Sequence, residues 1–216
     1  MDKNLNELLR WGIENQTSNQ NGDATGATAP AGSSLNAEAI AALFGGGPSD
    51  ADLMIASMQA IKSADPEVTL ESKLVAFDNF EQLIENLDNA NNMAKLALWT
   101  PLLECLAHDE AEIRRMACWC VGTAVQNNEP SQERLLAMGD AGIPVLVGLA
   151  TKDGEKEAVR RKAVYALSSA VRNYQPAMDV LSAELAKQGV ESGKVDAVDM
   201  DAVDKVMDGL KAKITA

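Results

Sequence analysis

Residues 70–92 form an amphipathic segment whose pattern recurs along the chain and restricts the folds that the chain can adopt. Its apolar side chains recur at steps of three and four, which places them on one face of a helix; they are Leu74, Phe77, Phe80, Leu83, Ile84 and Leu87. The opposite face is expected to carry Glu71, Lys73, Asp78, Glu81 and Glu85. Asp88-Asn89 and Asn91-Asn92 are expected to end the helix, because short polar side chains tolerate turn geometry. A helix with one apolar face needs neighbours that cover it.

The chain supplies such neighbours by repeating the segment at 113–127 and at 159–173. Ala76 aligns with Ala117 and Ala163, at spacings of 41 and 46 residues. The other aligned sets are Lys73, Arg114 and Arg160; Phe80, Val121 and Leu167; Ile84, Val125 and Val171; and Asn86, Asn127 and Asn173. A second motif also repeats, since Pro101-Leu102-Leu103 aligns with Pro144-Val145-Leu146. Units of roughly 40–47 residues with two or three helices each are typical of armadillo and HEAT arrays.

Three predicted helices per unit favour the armadillo arrangement. We therefore predict an all-α fold over residues 35–216, an armadillo-repeat solenoid formed as a right-handed superhelix of three-helix repeats. The predicted repeats are 50–90, 91–130 and 131–175, followed by a capping segment, 176–216, because a terminal repeat needs a polar outer face. Residues 1–34 are predicted to be a flexible leader with a short apolar helix, since 16–34 hold nothing larger than Gln and cannot offset the entropy of ordering.

The charge balance disfavours several classes of partner. Lys+Arg 19 against Asp+Glu 32 gives a formal net charge of −13. Nucleic acid is disfavoured because its affinity comes mainly from cations that neutralise phosphates, and an anionic membrane surface is disfavoured for the same reason. No secretory signal and no run near the ~20 apolar residues of a membrane span is visible. Three cysteines, an odd number, suit a reducing compartment, so we expect a cytoplasmic protein. We also expect it to act as a monomer.

No catalytic, cofactor or metal site is predicted. Cys118-x-Cys120 with His108 is the one group that resembles a metal or thiol site. Residues two apart on a helix point about 200° apart, and Cys118 lies at an apolar register, so buried inert thiols are expected. His108 is the sole histidine, which leaves little material for a hydrolytic triad. The stretch 45–48 lacks the lysine of a phosphate-binding loop and is expected to end a helix.

Armadillo proteins that bind basic peptides carry a ladder of Trp and Asn on the last helix of each repeat. The asparagine register of this chain holds Gln82, Thr123 and Ser169, and Trp119 aligns with Asp78 and Tyr165. The ladder is absent from the sequence, which disfavours that class.

The sequence K-L-V-A-F-D-N-F-E-Q-L-I-E-N-L-D-N-A-N-N at 73–92 resembles the opening repeat of a known family. This family comprises the cytosolic armadillo nucleotide exchange factors of the 70-kDa heat-shock chaperones (the Fes and heat-shock-protein-binding-protein family). The stretches L-L-R-W-x-I and L-F-G-G-G-P are similar to its leader, and G-T-A-V-Q-N-N (122–128) and K-A-V-Y-A-L-S-S-A-V-R-N (162–173) to the ends of its second and third repeats. The resemblance fades after 173, where an acidic segment stands in place of a further repeat and makes the chain short at the C-terminus.

The resemblance implies a co-chaperone that binds the ATPase domain of a cytosolic 70-kDa heat-shock chaperone, promotes ADP release and so aids substrate release. The resemblance also implies that the protein needs no cofactor and is not an enzyme. The partner-binding residues that it implies, directly or by repeat equivalence, are Asp88, Asn89, Ala90, Asn91, Asn127, Asn128, Arg172 and Asn173. The alternative for these residues is that they merely cap helices.

In the leader, Leu8, Leu9 and Trp11 are expected either to imitate the apolar segments that such chaperones hold or simply to dock on the armadillo body. Two other functions remain open from the residues alone. One is a general armadillo scaffold that binds an extended peptide without affecting any ATPase. The other is an enzyme that uses Cys118 or Cys120, which would require reactive thiols.

Overall fold

Ten α-helices and two short 3₁₀ turns, with no strands, make up the part of the chain that the computed structural model describes, residues 47–190 and 193–214. The helices are α1 (Asp50–Lys62), α2 (Leu70–Ile84), α3 (Leu87–Asn92), α4 (Trp99–Glu104), α5 (Ala111–Val125), α6 (Glu129–Ala137), α7 (Ile143–Thr151), α8 (Glu157–Val171), α9 (Gln175–Lys187) and α10 (Met200–Ala212). The 3₁₀ turns are Cys105–Ala107, which continues α4, and Gly139–Ala141, between α6 and α7. The all-α prediction is confirmed. The predicted leader with Leu8, Leu9 and Trp11, and the predicted helix at 35–44, lie outside the described residues.

The three helices that carry the repeated segment, α2, α5 and α8, pack side by side, with α5 between the other two. We call them the third-helix row. The aligned alanines Ala76, Ala117 and Ala163 are each 0% exposed, so the small residue recurs where packing is tightest. A second layer covers the row, since α1 packs on α2, α4 with its 3₁₀ turn on α5, and α7 on α8. The stacked repeats therefore share one continuous aliphatic core, as expected for a helical solenoid.

The aligned cations of the third-helix row all bind backbone carbonyls at the end of the helix before them. The Lys73 ammonium donates to the Ser63 carbonyl at 2.7 Å, and the Arg114 guanidinium donates to the His108 carbonyl at 2.6 Å. The Arg160 Nε donates to the Ala150 carbonyl at 3.1 Å. The last carbonyls of a helix lack intrahelical partners and carry partial negative charge, so a cation stabilises them. The cation at this shared register thus joins each helix of the row to the helix before it.

Helix α1 begins at a capping box. The Ser49 hydroxyl accepts from the Asp52 backbone N–H at 3.2 Å, and the Asp52 carboxylate accepts from the Ser49 N–H at 3.1 Å. Met54 and Met58 of this helix lie in the core, while Ile55 is partly buried.

Three expectations for the first repeated segment are wrong. Helix α2 ends at Ile84, and Asp88-Asn89 and Asn91 lie within a further short helix, α3, instead of ending α2. The cause is Asn86, whose side chain accepts from the Asp88 N–H at 2.9 Å and so starts a new helix. Leu87, expected on the apolar face, is 54% exposed because the chain changes direction before it. Glu81, expected in solvent, is 5% exposed because α5 covers it.

Prolines mark the start of α6 and α9. Pro130 lies in the first turn of α6 and Pro176 in the first turn of α9, where the missing N–H costs no hydrogen bond. Beyond α9, α10 packs on α8 and ends the described chain. The repeat boundaries near 90, 130 and 175 stay a prediction.

Among the described residues, no single helix has the length and apolar character to cross a bilayer, whereas the successive helices 129–137 and 139–151 meet that test together, with a bend of 115° between them.

Candidate partner-binding surface

The residues singled out by the sequence gather at the junctions where each member of the third-helix row gives way to the next short helix. These junctions are 85–91, from the end of α2 into α3; 126–132, from the end of α5 into α6; and 172–175, from the end of α8 to the first residue of α9. We call them together the junction row. Contacts of α3 with α6 and of α6 with α9 bring them together along the molecule.

Two of the junctions share one backbone conformation. Asn127 has φ +50° and Asn173 has φ +57°, in the left-handed region that Asn tolerates better than most residues. Each lies one residue beyond the C-cap of its helix, the position where a left-handed residue commonly ends an α-helix. Both side chains are exposed. The first junction differs, because Asn86, the aligned residue, has φ −74° and caps α3 instead.

Asn128, predicted to contact a partner, is 3% exposed and bonds within its own chain. Its amide nitrogen donates to the Ala124 carbonyl at 3.1 Å and to the Ser131 hydroxyl at 2.9 Å. The Ser131 hydroxyl in turn donates to the Asn91 side-chain oxygen at 3.4 Å. Asn128 therefore joins two junctions, and the exposed Asn91 completes the link.

Gln132 makes the corresponding link to the third junction, and sequence reasoning missed it. It is 4% exposed, and its amide nitrogen donates to the carbonyls of Ser169 at 3.0 Å and Arg172 at 3.1 Å. The one sequence feature that could have indicated this role is a polar residue on the side of a short helix that packs against the next repeat. Because buried polar groups need partners, such a residue marks a cross-repeat bond.

At the first junction, the predicted residues divide by exposure. Asp88 is exposed, whereas Asn89 is half-buried and donates to the Asp50 carboxylate at 2.8 Å and to the Leu83 carbonyl at 3.0 Å. Ala90 is 1% exposed. It lies at the base of a groove of about 310 Å³ between α3 and α6, which Asn91 also lines. An arginine at position 90 would therefore disturb packing as well as any partner contact.

Arg172 is engaged with the last described helix. Its guanidinium donates to the Ser168 hydroxyl at 3.0 Å and to the Met200 sulfur at 3.3 Å, and it forms an ion pair with Asp204. The neighbouring Asn173 donates its backbone N–H to the Ala197 carbonyl at 2.9 Å. The third junction is thus tied to α10 and the loop before it.

Polar and aromatic side chains bridge the third-helix row. The Thr123 hydroxyl donates to the Glu81 carboxylate at 2.6 Å; burial raises the pKa of Glu81, against the effect of this bond. The Lys162 ammonium lies 4.0 Å from the centre of the Trp119 ring and 5.3 Å from that of Tyr165, distances at which a cation is attracted to a ring face. Burial lowers the pKa of Lys162.

The close approach of α5 and α8 depends on Gly122. A Cβ at this position would lie 2.4 Å from the Tyr165 ring. The Tyr165 hydroxyl donates to the Gln126 side chain at 3.0 Å. The third-helix row therefore carries a packed cluster of two aromatic rings and a lysine, Trp119, Tyr165 and Lys162, where peptide-binding armadillo proteins carry their ladder of Trp and Asn.

The two cysteines of α5 lie inside the helical core. Cys118 and Cys120 are both 0% exposed; burial raises the pKa of Cys118 to about 12 and that of Cys120 well above its ordinary value. The His108 Nδ1 accepts from the Glu110 N–H at 3.0 Å. No group of three or more potential metal-binding side chains occurs within the described residues.

Comparison with known proteins agrees with the resemblance seen in the sequence. The family model described as "Nucleotide exchange factor Fes1" matches residues 5–93, and the HEAT repeat model matches residues 98–127. A protein of Gibberella zeae named Hsp70 nucleotide exchange factor FES1 is 63% identical over 215 residues, which cover 99% of this chain and 98% of the relative.

A Neurospora crassa protein named Hsp70 nucleotide exchange factor fes-1 is 55% identical, over 99% of this chain and 98% of its own length. The Eremothecium gossypii protein named Hsp70 nucleotide exchange factor FES1 is 47% identical over 80% of this chain, which spans 57% of that longer relative. With this identity along nearly its whole length, the chain belongs to the Fes1 family of Hsp70 nucleotide exchange factors.

Proposed function

We propose that this protein is a co-chaperone that binds the ATPase domain of a cytosolic 70-kDa heat-shock chaperone and promotes ADP release. The single observation that carries the proposal is the 63% identity, over 99% of this chain, to a relative named Hsp70 nucleotide exchange factor. The protein acts in the cytoplasm as a monomer and binds neither nucleic acid nor a membrane, consistent with its net charge of −13. The action is mechanical, so it requires no catalytic side chain.

The physical basis is differential binding. A rigid helical array that binds the open conformation of the ATPase domain better than the closed one shifts the population toward the open form. A hundredfold faster ADP release requires that the exchange factor stabilise the transition state for release by about 2.7 kcal/mol more than it stabilises the ADP-bound state. Coupling between equilibrium affinities is reciprocal, so an exchange factor that weakens ADP binding must itself bind more weakly when nucleotide is bound.

The exposed side chains of the junction row are the proposed contact residues: Asp88, Asn91, Asn127 and Asn173. Their exposure leaves amide and carboxylate groups available to a partner. Ala90 and Asn128, which are buried, would act by holding the junctions in register. Asn89 has donors that already bond within the chain, and Arg172 would have to exchange Asp204 for a carboxylate of the partner.

The decisive experiment measures release of a fluorescent ADP analogue from a cytosolic 70-kDa chaperone by stopped flow. We expect the wild-type protein to accelerate release, the Asp88→Arg variant to lose about tenfold in acceleration, and added ATP to dissociate the complex. A tenfold loss corresponds to about 1.4 kcal/mol. Asp88 is exposed on α3, so its replacement leaves the core intact.

The matched control is Asp140→Arg, which makes the same charge change in the turn after α6. If the two variants reduce the acceleration of ADP release equally, the junction row is not part of the binding surface. If the wild-type protein leaves ADP release unchanged, the exchange function itself is wrong, and an armadillo scaffold that binds an extended peptide becomes the better description.

A further inference from the structure

An open groove of about 400 Å³ lies between the C-terminal end of α9 and one face of α10. Its floor is apolar, with Leu185, Val195 and Leu210 buried in it. None of the predicted partner-binding residues lines it. The groove therefore needs an explanation of its own, separate from nucleotide exchange.

Three lysines surround this apolar floor: Lys194, Lys205 and Lys213. All three are exposed, and within the described part of the chain their ammonium groups have no hydrogen bond or ion pair. Lys187 and Lys211, which lie nearby on α9 and α10, do pair, with Glu184 and Asp208. In a chain with a net charge of −13, three cations thus lie around one apolar groove without a bound carboxylate among the described residues.

The charges of α10 are sorted by face. The groove is lined by Ala202, Lys205, Val206 and Gly209, spaced three and four apart and so on one side of the helix. The carboxylate of Asp204 lies on another side, where it pairs with Arg172. The groove thus avoids the acidic residues of its own helix.

Bonds at both ends hold the groove in shape. The Gln175 side chain donates to the Val195 carbonyl at 2.9 Å and accepts from the Ala197 N–H at 2.8 Å. At the far end of α10, the Arg160 guanidinium donates to the Lys213 carbonyl at 2.8 Å. A site that is formed in advance loses less entropy when a ligand binds.

Gly209 lies within α10 and lines the groove. Among the described residues, no heavy atom lies within 4 Å of the place that a Cβ would take here, so packing within that part of the chain does not require glycine. Glycine is also less favourable than alanine in a helix interior. An open position at the groove surface allows the backbone of a ligand to approach α10 closely.

We propose that this groove binds a peptide segment of a partner protein in which apolar side chains are flanked by carboxylates. The apolar side chains lie on the floor formed by Leu185 and Leu210, and the carboxylates pair with Lys194, Lys205 and Lys213. The open shape of the groove and the position of cations along its rim favour a peptide over a single buried acyl chain. The proposal does not depend on nucleotide exchange, since the test needs no chaperone.

The test titrates the full chain into a fluorescein-labelled synthetic peptide in which leucines are flanked by glutamates, and follows fluorescence anisotropy. We expect saturable binding that weakens as salt is added. The Lys205→Glu/Lys213→Glu variant should bind at least about tenfold more weakly, since two attractions become repulsions. The Gly209→Ala variant should raise the melting temperature and still bind the peptide more weakly, which separates occupancy of the groove from loss of fold.

Lys211→Glu is the matched control, because it reverses a charge on the same helix outside the groove. It should bind the labelled peptide like the wild type. Binding that is unchanged in the Lys205→Glu/Lys213→Glu variant, or lost equally in Lys211→Glu, would overturn the proposal. So would equal binding of a peptide with glutamine in place of glutamate, or capture of decanoate in the absence of peptide binding, which would make the groove a lipid site.

Discussion

At the scale of single residues, the junctions depend on two asparagines in a conformation that most L-residues avoid. Asn127 and Asn173 end α5 and α8 with positive φ, and the helix that follows begins two residues later. The left-handed conformation costs a residue with a Cβ roughly 1–2 kcal/mol, and Asn offsets part of this with local hydrogen bonds. The type of residue at these two positions therefore affects the stability of the fold, whether or not the residue contacts a partner.

We predict that Asn127→Ala lowers the free energy of unfolding by about 1 kcal/mol and that Asn127→Gly leaves it nearly unchanged, because Gly adopts positive φ without strain. Urea denaturation gives both values. Lys152→Ala is the control, at a helix C-cap with φ −64°, and should have little effect. Equal destabilisation by Ala and Gly would mean that the Asn127 side chain, not its backbone, supplies the stability.

Glu81 is a buried carboxyl group, and its burial disfavours the charged form. Burial raises its pKa above the ordinary value of 4.5, with the Thr123 bond acting in the other direction. The folded state then holds the proton more tightly than the unfolded state, so this residue favours folding at acidic pH. Its contribution is lost as the pH rises through the raised pKa.

Accordingly, Glu81→Gln should be more stable than the wild type at pH 7, because the amide removes the buried charge and its oxygen still accepts from Thr123. The difference should shrink as the pH falls below the raised pKa of Glu81, because the wild-type carboxyl then becomes protonated. Urea unfolding of both proteins at neutral and acidic pH measures it. Thr123→Val, which removes the bond and keeps the charge, should lower stability at neutral pH. A stability difference between Glu81→Gln and wild type that does not change with pH would exclude the raised pKa as its cause.

At the scale of elements, the short helices α3, α6 and α9 hold one repeat to the next. Gln132 of α6 bonds two carbonyls of the following junction while almost wholly buried. Removing a buried donor leaves those acceptors unpaired, which costs about 1–3 kcal/mol.

Gln132→Ala is therefore expected to lower the free energy of unfolding by about 1–3 kcal/mol, measured by urea denaturation. Glu133→Ala, an exposed change on the same helix, is the matched control and should cost little. If the two variants are equally stable, the cross-repeat bonds contribute no net stability.

The spacing of apolar residues predicted the helices of the third-helix row well, because each of them buries one face along its length. The pattern could not separate α3 from α2, since Asn86 is equally suited to end a helix and to cap the next one. It also placed Glu81 in solvent, because periodicity along one helix does not reveal which second helix covers it. At the candidate site, the sequence indicated the junctions but not the burial of Asn128 or the role of Gln132.

At the scale of the whole molecule, we predict that the leader and the helical array have separable tasks. We predict that deleting residues 1–34 leaves acceleration of ADP release intact but slows release of a model substrate from the chaperone. The reason is that the apolar residues Leu8, Leu9 and Trp11 would compete for the substrate-binding cleft. Stopped flow with labelled ADP and with a labelled substrate peptide measures the two rates separately. Equal loss of both activities would contradict this division of labour.

All three cysteines of the chain lie inside the stacked helices, and burial raises the pKa of each thiol. Since the thiolate is the form attacked by peroxide, these side chains should survive oxidative conditions that inactivate proteins with exposed cysteines. Cysteine oxidation is therefore not expected to inactivate this protein while its helical core stays folded.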